Sequence, residues 1–152
     1  MNLIESKLDD KLINVLSNKL KLMPNNYLKD CIGENIILLK DCNDNILSIA
    51  FIDNISADKF EYYNNCIPDG DYHYIRDKVI PNVTKGGIWL GVLESIVKGK
   101  HYGTEIVNYL KGKYNSIILF ADGGADYYWI GQDFLSIGTG MFLWSNTFKL
   151  TA

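Results

Sequence analysis

The chain has 152 residues and a formal net charge of −3, with 47% hydrophobic and 22% charged residues. This length suffices for one domain with a sizeable core, and the composition is typical of a soluble globular protein. The acidic balance disfavours nucleic acid as a partner. Because the apolar runs are far shorter than a membrane span, we expect no membrane partner and a cytoplasmic location.

Acidic residues occur within the first ten positions, which argues against a secretory signal. The three cysteines, Cys31, Cys42 and Cys66, form no close pair, and the chain has two histidines. An odd, scattered set of cysteines argues against a disulfide framework and against a zinc site. We therefore expect reduced thiols and no metal.

Apolar residues recur every four positions in the N-terminal segment: Ile4, Leu8, Leu12, Leu16 and Leu20. This spacing predicts an amphipathic helix that Pro24 ends. The apolar face is expected to pack in the core, and the alternative is a face that binds a partner.

The remaining pattern predicts an α/β domain with a mixed sheet. Residues 34–41 and 46–54 indicate two strands joined by a hairpin loop, Cys42 to Asn45. Residues 56–84 show no period and are interpreted as a long functional loop. The later elements are a buried strand at 86–97, a helix from Tyr102 to a C-cap at Gly112, a strand at 115–122, a brief helix at 123–132 and a hairpin turning at Gly138–Gly140.

The stretch "VKGKHYGTEIVNYLKGK", Val97 to Lys113, places glycines and positive charge at the start of a helix. The first turn of a helix has unpaired N–H groups and a partial positive charge, which together bind phosphate. Lys98, Lys100 and His101 add charge on the same turn. The stretch therefore indicates a site for a phosphorylated ligand, and the alternative is a solvated turn.

Neither a Walker loop nor a dinucleotide-binding fingerprint fits this stretch. It resembles instead the pyrophosphate motif of the GNAT acyltransferases, Arg/Gln-x-x-Gly-x-Gly/Ala after the fourth strand. In that register Lys98 takes the Arg/Gln position, His101 the first Gly position and Gly103 the second.

A second motif of that family, Asn-x-x-Ala-x-x-Phe-Tyr-x-Lys-x-Gly-Phe, resembles "DGGADYYWIGQDF" at 122–134 without gaps. Ala125 and Phe134 are identical, whereas Trp129 stands at the Tyr position and Asp133 at the Gly position. The resemblance spans about residues 34–148. It implies a single domain with a GNAT-like fold, a mixed and mostly antiparallel sheet flanked by helices, in which 1–33 is a variable helical region and 56–84 a loop insertion.

By this resemblance the chain is an N-acetyltransferase that transfers an acetyl group from acetyl-CoA to a primary amine by direct attack, without a metal. The backbone of Val92 and Leu93 is expected to bind pantetheine, and Trp129 is expected to contact the cofactor. The pyrophosphate is expected on seven consecutive residues: Lys98, Gly99, Lys100, His101, Tyr102, Gly103 and Thr104.

Acid–base roles fall to three side chains. Glu94, near the end of an apolar strand, is the candidate base that removes the amine proton, and the alternative is a solvated strand-end glutamate. Tyr127 and Tyr128 are candidates for the acid that protonates the thiolate, because the indole of Trp129 does not readily give up its proton. The alternative is that these tyrosines only pack.

The acceptor is expected to be a small-molecule or peptide amine. Carboxylates interleaved with tyrosines in residues 56–84 suit a cationic amine, and the alternative is a solvated loop. A homodimer is a further possibility for this fold. The alternative function, from a different class, is a non-catalytic module that binds coenzyme A or a similar anionic ligand. Trp129 at the Tyr position and His101 at a Gly position favour that module.

Overall fold

A computed structural model describes residues 1–55, 86–121, 124–138 and 140–146. Within these residues the strands are β1 Asn2–Lys7, β2 Asn35–Lys40, β3 Ile46–Asn54, β4 Ile88–Ser95, β5 Ser116–Phe120, β6 Leu135–Gly138 and β7 Met141–Ser145. The helices are α1 Asp10–Leu16, α2 Asn25–Asp30, α3 Tyr102–Lys113 and α4 Asp126–Gly131. The long loop expected at 56–84 lies outside the described residues.

The strands form a seven-stranded mixed sheet in the order β1-β2-β3-β4-β5-β7-β6. β4 and β5 are parallel, while β1–β2, β2–β3, β5–β7 and β6–β7 are antiparallel. This confirms the expected α/β class with a mixed, mostly antiparallel sheet. The helix α3 connects the parallel strands β4 and β5, and α4 connects β5 to β6, which lies beyond β7 in the sheet.

The expectation of one helix through the N-terminal segment is wrong. β1 pairs with β2 over six residues, from Asn2 opposite Lys40 to Lys7 opposite Asn35. A four-residue spacing is even, so it also places side chains on one face of a strand, whose period is two. The helix α1 begins only after Asp9, whose carboxylate accepts the N–H of Leu12 at 2.8 Å.

The first helix also ends earlier than expected. α1 stops at Leu16, and Asn18 adopts a left-handed φ of 61°. Asn is one of the few residues that tolerate this conformation. Pro24 therefore does not end the first helix but precedes α2 as its N-cap residue.

The hairpin of β2 and β3 is confirmed. The Asp41 carboxylate accepts the N–H groups of Asn43 and Asn45, both at 2.9 Å, and Asp44 has a φ of 66°. Such an Asx turn is a common way to close a short loop. The backbone N–H of Asn45 lowers the pKa of Asp41 below its ordinary value.

The strands at β4 and β5, the brief helix α4 and the β6–β7 hairpin are confirmed as well, although Thr139 in that turn is not among the described residues. The expected C-cap at Gly112 is wrong, because α3 continues to Lys113. Ile106, Val107 and Leu110 form the buried side of α3.

The chain forms two compact units, one of Met1–Asp53 with Gly91–Leu110 and the other of Asn54–Leu90 with Lys111–Ala152. In the first unit, residues of α1, α2, β2 and β3 form one apolar core, against which Val92 and Ile96 pack. In the second unit, buried side chains of β5, α4 and β7 include Ile118, Trp129 and Phe142.

Burial raises the pKa of the Cys31 thiol to about 11, and neither Cys31 nor Cys42 is in a disulfide. Cys66 lies outside the described residues. No helix in the described ranges is long and apolar enough to cross a membrane.

A glycine before β4 has no room for a side chain. A Cβ on Gly87 would lie 2.1 Å from the Ser116 hydroxyl oxygen and 3.1 Å from the Ser116 carbonyl oxygen. We expect Gly87→Ala to lower the free energy of unfolding by about 1–3 kcal/mol, measured by urea denaturation. Gly91→Ala is the matched control, because its Cβ would meet only the Phe51 carbonyl at 3.6 Å. Equal stability of the two variants would contradict this packing.

Candidate functional site

The loop between β4 and α3 is fixed at its start by β3. The N–H groups of Ile96 and Val97 both donate to the carbonyl of Leu47, at 2.9 and 3.3 Å. The loop is fixed at its end by the next residue of β3, because the Ser48 hydroxyl donates to the Tyr102 carbonyl at 3.2 Å. Ser48 is completely buried. Two adjacent residues of one strand therefore hold both ends of this loop.

Within the loop, two residues adopt left-handed backbone conformations, Gly99 with φ 77° and His101 with φ 59°. A Cβ on Gly99 would meet no atom within 4 Å, so one side of that backbone is open. Lys98, Lys100 and His101 are exposed. The loop therefore carries cationic side chains into solvent directly before the N-terminus of a helix.

Left-handed conformations also occur where the two motifs call for glycine and this chain has another residue. His101 stands at the first Gly position of the pyrophosphate motif, and Asp133 stands at the Gly position of the second motif. Their φ angles are 59° and 66°. Glycine is the residue that adopts positive φ most readily, so a non-glycine residue stands in a glycine-favouring conformation at each of these two positions.

The second glycine of the first motif, Gly103, packs closely in the first turn of α3. A Cβ there would lie 3.4 Å from the Ser95 hydroxyl oxygen and 3.5 Å from Cδ2 of Leu93. The start of the helix is thus held against the end of β4. The flanking residues Tyr102 and Thr104 are half-buried.

β4 continues well beyond its pairing with β5. The parallel register joins Ile88 with Ile117 and Trp89 with Ile118, and β4 runs on to Ser95. Val92 and Leu93, expected to bind pantetheine, are half-buried in this continuation.

Glu94 is buried, with 5% of its surface exposed. Its Oε2 accepts the N–H of Lys21 at 2.6 Å, and its Oε1 accepts the N–H of Leu22 at 2.7 Å. These short, charge-assisted bonds explain how a carboxylate is tolerated there. The alternative of a solvated glutamate is wrong, whereas the role of general base stays a prediction.

The three aromatic candidates lie on α4, in the second unit. Tyr127 is 88% exposed, while Tyr128 is half-buried and stacks on Trp129 with ring centroids 4.9 Å apart. Trp129 is buried and packs edge-on against Phe134 at 5.0 Å. The structure therefore brings Val92, Leu93, Glu94 and the loop together in the first unit, and the aromatic candidates together in the second.

The sequence analysis did not identify two side chains that hold local structure in place, Lys111 and Ser48. The Lys111 Nζ donates to the Gln132 carbonyl and lies 5.6 and 5.5 Å from the ring centroids of Phe134 and Trp144. Burial lowers its pKa. For Lys111 the available signal was its position four residues after the buried Val107, which places both residues on one face of α3. For Ser48 the signal was a polar residue inside an apolar strand.

The left-handed backbone at position 101 predicts how substitutions there affect stability. A non-glycine residue in this conformation costs about 1–2 kcal/mol, so His101→Gly is expected to preserve or raise the free energy of unfolding. His101→Val should lower it by more than about 1 kcal/mol, because a β-branched residue resists positive φ. Lys100→Gly serves as the control and should be destabilising, since its φ is not positive. Thermal denaturation measures the stability of all three variants. Destabilisation by His101→Gly would contradict the positive φ at residue 101.

No protein-family model and no curated protein matches the sequence. Solved structures do match over nearly the whole chain. GCN5 of Tetrahymena superposes with a TM-score of 0.58 at 12% identity, covering 95% of this chain and 96% of that one. The "histone acetyltransferase HPA2 and related acetyltransferase" of Corynebacterium glutamicum gives 0.53 at 13% identity and 94% of both chains.

A third match is the polyamine N-acetyltransferase of Drosophila melanogaster, with a TM-score of 0.50 at 8% identity, covering 95% of this chain and 100% of that one. At these identities the likeness concerns the fold and not the activity. The chain has the GNAT acyltransferase fold.

Proposed function

We propose that the chain is an N-acetyltransferase that uses acetyl-CoA to acetylate a primary amine. The observation that supports this most is the loop between β4 and α3. It combines two left-handed residues, exposed lysines and a glycine that packs the first helical turn against β4. That combination suits the diphosphate of coenzyme A better than it suits a routine turn.

The loop and the start of α3 suit a diphosphate because they combine backbone N–H donors with positive charge. The first turn of α3 offers N–H groups that no residue of the helix accepts, together with a partial positive charge. That field alone is worth about 0.3–1 kcal/mol for an exposed anion, so several N–H groups must act together with Lys98 and Lys100. Gly99 leaves its side of the loop open to a ligand.

Val92 and Leu93 are proposed to hold the pantetheine arm by strand-like hydrogen bonds. They lie in the part of β4 that follows its pairing with β5, and an extended peptide-like group can add to a strand edge by main-chain hydrogen bonds. Acetyl-CoA supplies an activated thioester at the end of that arm. The backbone of β4 then orients it for attack by a neutral amine.

The remaining task of the protein is proton transfer. The amine must lose a proton, and the departing thiolate must gain one. We propose Tyr128 as the acid, because stacking on Trp129 gives its ring a defined position. Tyr127 is the lesser candidate since it is almost wholly exposed.

A second candidate is a module that binds coenzyme A, or a similar anion, without catalysis. Two observations favour it. Trp129, at the position of the family tyrosine, is buried against Phe134, and both oxygens of Glu94 already accept backbone N–H groups.

Binding of acetyl-CoA is tested with a pair of glutamates on the same helix. Gly103→Glu places a side chain and a negative charge in the first turn of α3, and we expect it to weaken binding at least tenfold. Gly112→Glu adds the same charge to the last turn, where a Cβ meets no atom within 4 Å, so it should leave affinity within about twofold. Calorimetric titration of both folded variants measures the difference. Equal affinities, or no binding by the wild type, would refute the loop as the diphosphate site.

Catalysis is tested with primary amines that include spermidine, tyramine and a lysine-containing peptide with a free N-terminus. We expect one of these classes to be acetylated. Tyr128→Phe should lower kcat by about 100-fold, the low end of the range for general acid catalysis, and leave the KM for acetyl-CoA unchanged. Tyr127→Phe is the matched control and should retain kcat, because water surrounds its hydroxyl. Binding without turnover on every amine would favour the module instead.

A further inference from the structure

Glu94 connects β4 with the segment between α1 and α2, residues 17–24. Its two oxygens accept consecutive N–H groups, those of Lys21 and Leu22. The bonds span more than seventy residues of sequence within the first unit. The carboxylate is thus directed at a backbone turn.

The same segment is closed at its base by a reciprocal pair of asparagines. The N–H of Asn18 donates to Oδ1 of Asn25 at 2.9 Å, and Nδ2 of Asn25 donates to Oδ1 of Asn18 at 2.8 Å. Asn18 is left-handed, which reverses the chain after α1. The two ends of the segment are therefore joined without the help of Glu94.

The tip of the segment depends on Glu94. Leu20 and Met23 are buried, while Lys21 and Leu22 between them are exposed. The side chains of these two central residues meet solvent, and their N–H groups point inward to the carboxylate. An apolar replacement for Glu94 would leave two inward N–H groups without their acceptor, which is costly.

We propose that Glu94 is a positioning residue, which fixes the backbone of residues 17–24 to β4 and does not act as the general base. This rests on the proposed acetyltransferase function. A carboxylate that accepts two N–H groups at 2.6 and 2.7 Å is held in one orientation with both oxygens already engaged. The amine then passes its proton to solvent as its N–C bond forms and the C–S bond breaks, and the thiolate takes up a proton.

The clamp itself is tested without any ligand, by amide hydrogen exchange measured by NMR. We expect Glu94→Ala to accelerate exchange at Lys21 and Leu22 at least tenfold. The amide of Leu28, which donates to the Pro24 carbonyl at 2.9 Å, is the internal control and should keep its rate. Glu94→Gln, which retains one acceptor oxygen, should protect one of the two amides. Unchanged exchange in both variants would overturn the clamp.

Whether Glu94 positions residues 17–24 or acts as the general base is tested by changing Lys21, one of its two hydrogen-bond partners. Lys21→Pro removes one N–H donor and leaves the carboxylate intact, while Lys21→Ala keeps the N–H and serves as the control. With the amine that the panel shows to react fastest, positioning predicts that Lys21→Pro and Glu94→Ala change kcat/KM for that amine by the same factor, within about twofold, because both break the same contact. It also predicts that the double variant is no worse than the single ones.

A base predicts a different result. Glu94→Ala alone would lower kcat by about 10²–10⁴, whereas Lys21→Pro would leave kcat unchanged. That outcome would overturn the positioning role. If no amine is acetylated but exchange behaves as expected, the acetyltransferase proposal fails while the clamp on residues 17–24 stands.

Discussion

The anchoring of the loop after β4 by Leu47 and Ser48 is the constraint on which the proposed site depends. One carbonyl of β3 accepts the two N–H groups at the start of the loop, and the adjacent buried hydroxyl reaches the carbonyl at its end. Glycine and a left-handed histidine make a tight path between these points possible. The N–H groups at the start of α3 therefore have a fixed direction, which an anion site requires.

β4 links this loop to the rest of the first unit. Its last residues pack under the first turn of α3 at Gly103, and its buried Glu94 holds the backbone at Lys21 and Leu22. The strand that is proposed to bind pantetheine is thus also the strand that orders the N-terminal turn. Any shift of β4 would move both.

Much of the fold followed from local pattern, because buried strands and helices differ in period. β3 has the bounds that its sequence predicts, and the Asx turn before it has typical turn residues. β1 was missed because Ile4 and Leu8 are four residues apart, a spacing shared by helices and strands. Pairing with β2, a contact distant in sequence, decides between them.

The site could be located from sequence but not fully interpreted. The predicted loop lies between β4 and α3 as expected, and His101 and Asp133 have positive φ at the two motif positions where glycine is replaced, whereas the role of the loop as an anion site stays a prediction. The partners of Glu94 could not be foreseen, because backbone N–H groups leave no trace in a sequence. The anchoring role of Ser48 had only a faint signal, a polar residue within β3.

The most direct measurement is amide chemical-shift mapping of the ¹⁵N-labelled protein with coenzyme A. The account predicts that the largest shifts fall on residues 98–104 at the start of α3, with a second group at Val92 and Leu93. Shifts confined to other residues, or none at saturating ligand, would contradict it.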